Sequence, residues 1–244
     1  MEPEGNHRYF RLCRAVLLLS AFLAGPASGW TEAVRAQESG LVLSYGFEEG
    51  SGTTVDSAPP GRTGTLFHTE WIPNARSGNG LSFNGSDSYA ASPAEGLPAF
   101  NAPQTISFWV MTSGRAMTRQ SVVTLLSRTQ PLSLQIGFKD SMAGVWQRNG
   151  SWLVMGMQPS AGKWHHFAYT YDGQTHRFYV DGAESGSSTI APRAAVADTF
   201  EIGRGWAESE YFRGSLDEVR IFDRALAPTE IQALLAAGAA APNP

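Results

Sequence analysis

The stretch from Trp164 to Gly182 constrains the fold more than any other part of the chain. Phe167, Tyr169 and Tyr171 recur at every second position, Phe178 and Val180 do the same, and each run ends in Asp-Gly, at Asp172-Gly173 and Asp181-Gly182. Successive side chains of a strand point to opposite faces, so this spacing sends a row of bulky rings to one face. Glycine takes positive φ without a steric cost, and Asp-Gly after such a run is therefore a turn. The stretch predicts antiparallel β structure.

The same grammar extends over most of the chain. Alternating runs punctuated by Gly, Asn, Asp, Ser or Pro predict strands at 41–47, 80–83, 89–91, 105–111, 122–127, 132–138, 143–147, 152–157, 165–171, 177–180, 199–202 and 214–222. Asn149-Gly150 predicts a further hairpin between the two tryptophan-bearing runs. Short strands with turn signals every 8–12 residues indicate a sandwich or a barrel. One helix is expected at 228–236: Pro228 suits its first position, Glu230 its positive end, and Ile231, Leu234 and Leu235 form its apolar stripe. Ala227 stands where a Ser or Thr cap would be expected, so this helix is predicted to be held by docking.

Arg8, Arg11 and Arg14 precede the uncharged run Ala15–Ala24, which is too short to cross a bilayer and fits a secretory leader. A signal peptide is expected over residues 1–36, with cleavage after Ala27, Gly29 or Ala36. One domain then fills 37–238, and 239–244 is a disordered tail. The product is expected outside the cell or in a periplasm, with no membrane insertion after cleavage. Cys13, the sole cysteine, lies in the leader, which leaves the domain without a disulfide, a thiol nucleophile or a cysteine-based zinc site. The net charge is −4 and no basic stripe occurs, which argues against nucleic acid as a partner.

Four segments, in order, carry a likeness to a known family. They are Tyr45–Asp56 (YGFEEGSGTTVD), Gly80–Tyr89 (GLSFNGSDSY), Ile106–Val110 (ISFWV) with the Trp164–Gly182 stretch, and Gly214–Phe222 (GSLDEVRIF) leading to Arg224–Ile231. Together they resemble the laminin G-like jelly-roll domains of the concanavalin A-like lectin/glucanase superfamily, in their bacterial extracellular form. The resemblance implies an all-β fold, an antiparallel two-sheet jelly-roll β-sandwich with one short C-terminal helix. It also implies a recognition or adhesion module for a glycan or glycoconjugate, and a structural Ca²⁺ held by Asp56 and Asp217 with backbone carbonyls.

By alternation Asp217 shares a face with Val219 and Ile221, pointing inward, where a lone carboxylate is costly unless paired or bound to metal. Calcium takes six to eight hard oxygen ligands, which two carboxylates and loop carbonyls could supply. The alternative is that Asp217 accepts backbone N–H groups and Asp56 caps a turn. His165 and His166 are adjacent on a strand and face opposite ways, so they cannot chelate one ion together. Glycanases on such folds space their carboxylates along one strand face, and Glu208-Ser209-Glu210 is the nearest approach to that pattern. It lacks a third acid, so a non-catalytic domain is expected; a hydrolase, a lyase or a protein–protein module on the same fold are the alternatives. Sugars stack their C–H faces on aromatic rings. Trp146 and Trp152 beside the Asn149-Gly150 turn, and Trp206 and Tyr211 in a polar loop, are the candidate platforms; the alternative is that these rings are core.

Overall fold

A computed structural model describes residues 39–238 apart from 58–60, 117, 149–150 and 208. The expected leader, the tail, the Asn149-Gly150 turn and Glu208 lie outside the described residues. The strands in chain order are β1 (Leu41–Tyr45), β2 (Thr54–Asp56), β3 (Thr63–Phe67), β4 (Glu70–Pro73), β5 (Asn79–Asn84) and β6 (Tyr89–Pro93). Then come β7 (Gln104–Thr112), β8 (Gln120–Ser127), β9 (Leu132–Lys139), β10 (Met142–Gln147) and β11 (Trp152–Met157). The last are β12 (His165–Tyr171), β13 (His176–Val180), β14 (Ala183–Ser188), β15 (Thr199–Ile202) and β16 (Arg213–Phe222), followed by helix α1 (Pro228–Gly238).

Two antiparallel sheets form a sandwich. The first runs β14-β13-β12-β7-β16-β5-β4, with β1 also paired to β16; the second runs β11-β10-β9-β8-β15-β6-β3-β2. The aromatic runs of the Trp164–Gly182 stretch form the hairpin β12–β13, in register Phe167↔Val180 to Tyr171↔His176. Between β13 and β14, Asp181 and Gly182 both take positive φ, 49° and 74°, the two-residue turn that Asp-Gly favours. Strand β7 is central, flanked by β12 and β16. Rings from both sheets meet between them: Phe138 of the second packs on Phe167 of the first at 5.7 Å, and Tyr45 stacks on Phe200 at 6.3 Å. Phe138, Phe167, Phe178 and Phe200 are each at most 1% exposed. Burying such a ring stabilises the fold by about 1.5–3 kcal/mol, and a domain without a disulfide depends on these contacts.

Helix α1 docks on the outer face of the first sheet, where Ile231 and Leu234, with Leu226, join Ala168, Tyr179 and Phe222. Docking is helped by a half capping box. Glu230 accepts the Ala227 N–H at 2.8 Å, and Arg224 holds the Glu230 carboxylate through two nitrogens.

Strand β16 departs from simple alternation. Against β7 it pairs Asp217↔Trp109 but Arg220↔Ser107, so three steps on one strand match two on the other. Glu218 sits at this bulge with φ 52°. Leu216 and Val219 therefore both enter the core, whereas Asp217 goes to the outer face beside Trp109. This corrects the inward orientation expected for Asp217: one extra residue reverses the phase of the strand.

Candidate functional site

The strand registers build a continuous outer row across the second sheet. Trp152 pairs with Trp146, Trp146 with Gln135, Gln135 with Thr124, and Thr124 with Glu201. Glu201 then pairs with Ala91, Ala91 with Thr65, and Thr65 with Thr54. Their strand neighbours Leu134, Leu125 and Phe200 fill the core, so this row faces away from it.

Residues 203–207 and 210–212 fold back over the middle of the row. Thr124 Oγ1 donates to the Arg204 carbonyl at 2.7 Å, and the Trp206 N–H reaches Gln135 Oε1 at 3.4 Å. Gly205 allows this approach. A Cβ there would meet Glu210 Oε2 at 2.3 Å, Ser121 Oγ at 2.4 Å and Gln135 Oε1 at 2.6 Å. The polar row is consequently buried although it lies on an outer face: Ser121, Thr124 and Gln135 are fully buried and Glu201 is 1% exposed.

Two buried carboxylates need partners there. Glu201 holds Arg204 through Nε at 2.9 Å and Nη2 at 2.6 Å, with Arg128 at 3.6 Å; Glu210 holds Arg119 at 2.8 Å. The Glu201 hydrogen bonds raise the Arg204 pKa further above its ordinary value, and Tyr211 adds a side-chain bond to the same guanidinium. Cations also stack on the rings of this face: Arg204 over Tyr89 at 3.7 Å, Arg148 over Trp206 at 4.1 Å, Lys139 over Trp152 at 5.4 Å and Arg119 over Trp146 at 5.8 Å.

The four candidate platform residues thus share one face but not one role. Trp152, Trp206 and Tyr211 are half-buried. Trp146 is fully buried, edge-on to Trp152 at 5.4 Å, and is not an exposed ring. Its strand position points it away from the core between the sheets, but its neighbours cover it. Tyr89, Arg204 and Glu201, which knit the face together, were missed because only the register of strands distant in the chain unites them.

Ser160, His165 and Asp181 form a hydrogen-bonded chain. His165 Nδ1 lies 2.7 Å from Asp181 Oδ2, and Nε2 lies 3.1 Å from Ser160 Oγ. The same Nε2 lies 3.1 Å from the Ser160 carbonyl oxygen. With a carboxylate at one nitrogen and both oxygens of Ser160 at the other, the ring clamps the loop that carries Ser160 against the end of β13. His166 is buried against Trp109, their rings 5.3 Å apart. Burial, with the Arg220 charge second, pushes His166 down to about 4.

The expected metal ligands lie on different sheets. Asp56, on β2, is exposed and accepts the Thr63 hydroxyl at 2.6 Å. It opens onto a cleft of about 470 Å³ together with Glu48, Glu49, Glu218 and Arg220. Asp217 is fully buried and accepts the Ser77 N–H at 2.8 Å and the Glu218 N–H at 2.7 Å. Its pKa is raised to about 7, chiefly by burial, with the charges of Glu218 and Glu48 acting the same way. A buried acid pressed by two more is chemistry that a hard cation relieves. The fit is one of chemistry more than of convergence. Glu218 is paired to Arg220, and among the described residues no three His, Cys, Asp or Glu side chains gather as a metal-ligand group.

Comparisons with known proteins agree with this architecture. No curated protein sequence matches the chain. Domain 4 of an extracellular GH43 arabinanase from Geobacillus stearothermophilus, solved in complex with arabinotriose, superposes with a TM-score of 0.68 at 21% identity, covering 80% of this chain and 98% of that one. The binding domain of a paraclostridial mosquitocidal protein gives 0.63 at 15% identity, over 83% of this chain and 53% of that one. Trypanosoma rangeli sialidase, solved in complex with 2,3-difluorosialic acid, gives 0.63 at 18% identity over 80% and 32%. The chain therefore spans about half of the second and about a third of the third. At these identities the likeness is one of fold, and it extends to an enzyme as well as to binding domains. A laminin G family model matches residues 84–232, more than half of the sequence. With its paired eight-stranded sheets, the chain belongs to the concanavalin A-like lectin/glucanases superfamily.

Proposed function

We propose that this chain is an exported, non-catalytic module that recognises carbohydrate, and that the outer face of the second sheet carries the recognition. The observation that carries the reading is the use of charge on that face. Glu201 and Glu210 are each tied to an arginine, while aromatic rings are held on cations beside them. A glycosidase pair needs one carboxyl free to protonate and one free to attack or activate water; ion-paired buried carboxylates serve rigidity instead. Stacked, braced rings suit the C–H faces of a sugar. The arabinotriose complex of the arabinanase domain supports the choice of ligand class by analogy of fold. The test is a glycan array with the mature domain, with the same glycans then assayed for product release. Binding without turnover is expected; turnover would overturn the non-catalytic reading, and no binding would overturn recognition.

Export rests on the basic, apolar and small-residue order of the first 36 residues. N-terminal sequencing of protein recovered outside the cytoplasm is expected to begin at Ser28, Trp30 or Gln37. Calcium is proposed as a structural ligand of the acidic region, with the expected carboxylates Asp56 and Asp217 and backbone carbonyls as its oxygen donors. It would neutralise a carboxylate that burial disfavours. A chelator is expected to lower the thermal midpoint, and an unchanged midpoint would remove calcium from the account.

A further inference from the structure

Phe67 is the one aromatic ring among the exposed large hydrophobic side chains of the described residues, at 37% exposure. It stands opposite Tyr89 in the β3–β6 ladder, and the two rings stack 4.4 Å apart at an angle of 10°. Arg204 lies 3.7 Å from the centre of the same tyrosine ring. One ring face cannot hold both neighbours, so Tyr89 is sandwiched between Phe67 and the guanidinium. Arg204 is in turn fixed by its two bonds to Glu201. The layered stack Phe67–Tyr89–Arg204 is thereby braced from a buried acid out to solvent.

Phe67 keeps its 37% exposure near the end of the β2–β3 ladder. Strand β2 pairs with β3 only from Thr63 to Thr65, and the ladder ends before Phe67. Beside the ring is a polar rim. His68 Nδ1 lies 3.0 Å from Asp87 Oδ2, both side chains are well exposed, and Asn84 donates to Asp87 Oδ1 at 2.6 Å. The hydrogen bond from Asn84 and the nearby His68 keep the Asp87 carboxyl below its usual range, so it is an acceptor at neutral pH.

We infer that Phe67 is the stacking platform for one sugar ring of the glycan, with His68 and Asp87 as hydrogen-bonding partners for its hydroxyls. This rests on the carbohydrate reading above and names where on the face it acts. A single exposed ring whose chain neighbours Thr65 and His68 are exposed polar residues is far smaller than the contiguous apolar patch that marks a protein interface. It matches the footprint of a sugar, whose C–H face needs one ring and whose hydroxyls need polar groups at the edge. Because Tyr89 and Arg204 already hold the platform in place, little conformational entropy is lost when the ligand lands.

The test uses a glycan that the wild-type mature domain binds on an array, with titration calorimetry for Phe67→Ala, Phe67→Leu, Phe67→Trp and Asp87→Asn. Phe67→Leu retains an apolar side chain without the aromatic face, and thermal melts confirm that each variant is folded. Loss of affinity of tenfold or more is expected for Ala and Leu, near wild-type affinity for Trp, and a several-fold loss for Asp87→Asn. Wild-type binding that survives Phe67→Ala and Phe67→Leu unchanged overturns the platform and leaves carbohydrate recognition standing. A wild-type domain that binds no glycan overturns the carbohydrate reading itself, and this inference with it.

Discussion

Glu201 and Arg204 form a two-point ion pair on an outer sheet face where the carboxylate is 1% exposed. Removing one partner of a buried pair leaves a charge without compensation, which costs about 3–5 kcal/mol, whereas replacing both by apolar groups is often neutral. Arg204→Ala is therefore expected to destabilise by about 3 kcal/mol, since Arg128 offers partial replacement at 3.6 Å. The double variant Glu201→Leu/Arg204→Met should regain most of that loss. Urea unfolding of the three proteins checks both statements.

Gly205→Ala is expected to cost about 1–3 kcal/mol, the usual range for overpacking. Its methyl would press on three polar groups of the covered row at once, and residues 203–207 and 210–212 would have to lift. Faster hydrogen exchange at the Gly203 and Phe212 amides, which bond to Val122 and Gly203 respectively, would register that lifting.

Trp146 and Trp206 should separate under truncation. Trp146→Ala removes a fully buried ring and is expected to cost about 3–5 kcal/mol. Trp206→Ala removes a half-buried ring stacked under Arg148 and should cost about 1 kcal/mol. Chemical denaturation of the pair measures the contrast, and equal losses would contradict it.

His166 should give the domain an acid-sensitive term. Its folded pKa, about 4, lies below the unfolded value near 6.5. The native state thus binds fewer protons between those values, and stability falls as pH drops from about 6.5 to about 4. The facing charges are Arg220 and Arg76, which oppose protonation, and Asp181, which favours it. A shift of this size corresponds to about 3 kcal/mol at most. His166→Phe should flatten the stability profile across that window, and an identical slope in the variant would refute the assignment.

How far the sequence exposes this molecule depends on what holds each part. Strands β7, β12 and β13 are legible because their own side chains alternate into the core. Strands β2, β3, β4 and β14 escaped detection. They are three to six residues long, and β14, with the sequence AESGSS, has almost no apolar alternation to read. Such segments become strands because a neighbour offers a hydrogen-bonding edge, which is a tertiary cause. The candidate site follows the same division. Trp152, Trp206 and Tyr211 were visible as aromatic residues in polar surroundings. The Phe67–Tyr89–Arg204 stack depends on a register linking chain positions 67, 89 and 204. Alternation could say that Trp146 faces outward, but not that its neighbours would cover it.

The bulge at Glu218 has one more consequence. On the edge away from β7, strand β16 is shared end to end: residues 213–216 pair with β5 and residues 219–222 with β1. The extra residue falls at that junction, so β16 works like a hinge pin carrying two leaves, each with its own setting. Deleting Glu218 would rejoin the halves in one phase and turn either Leu216 or the pair Val219 and Ile221 out of the core. The chain's first and fifth strands can therefore lie in line along one partner only because that partner carries a residue more than its other neighbour requires.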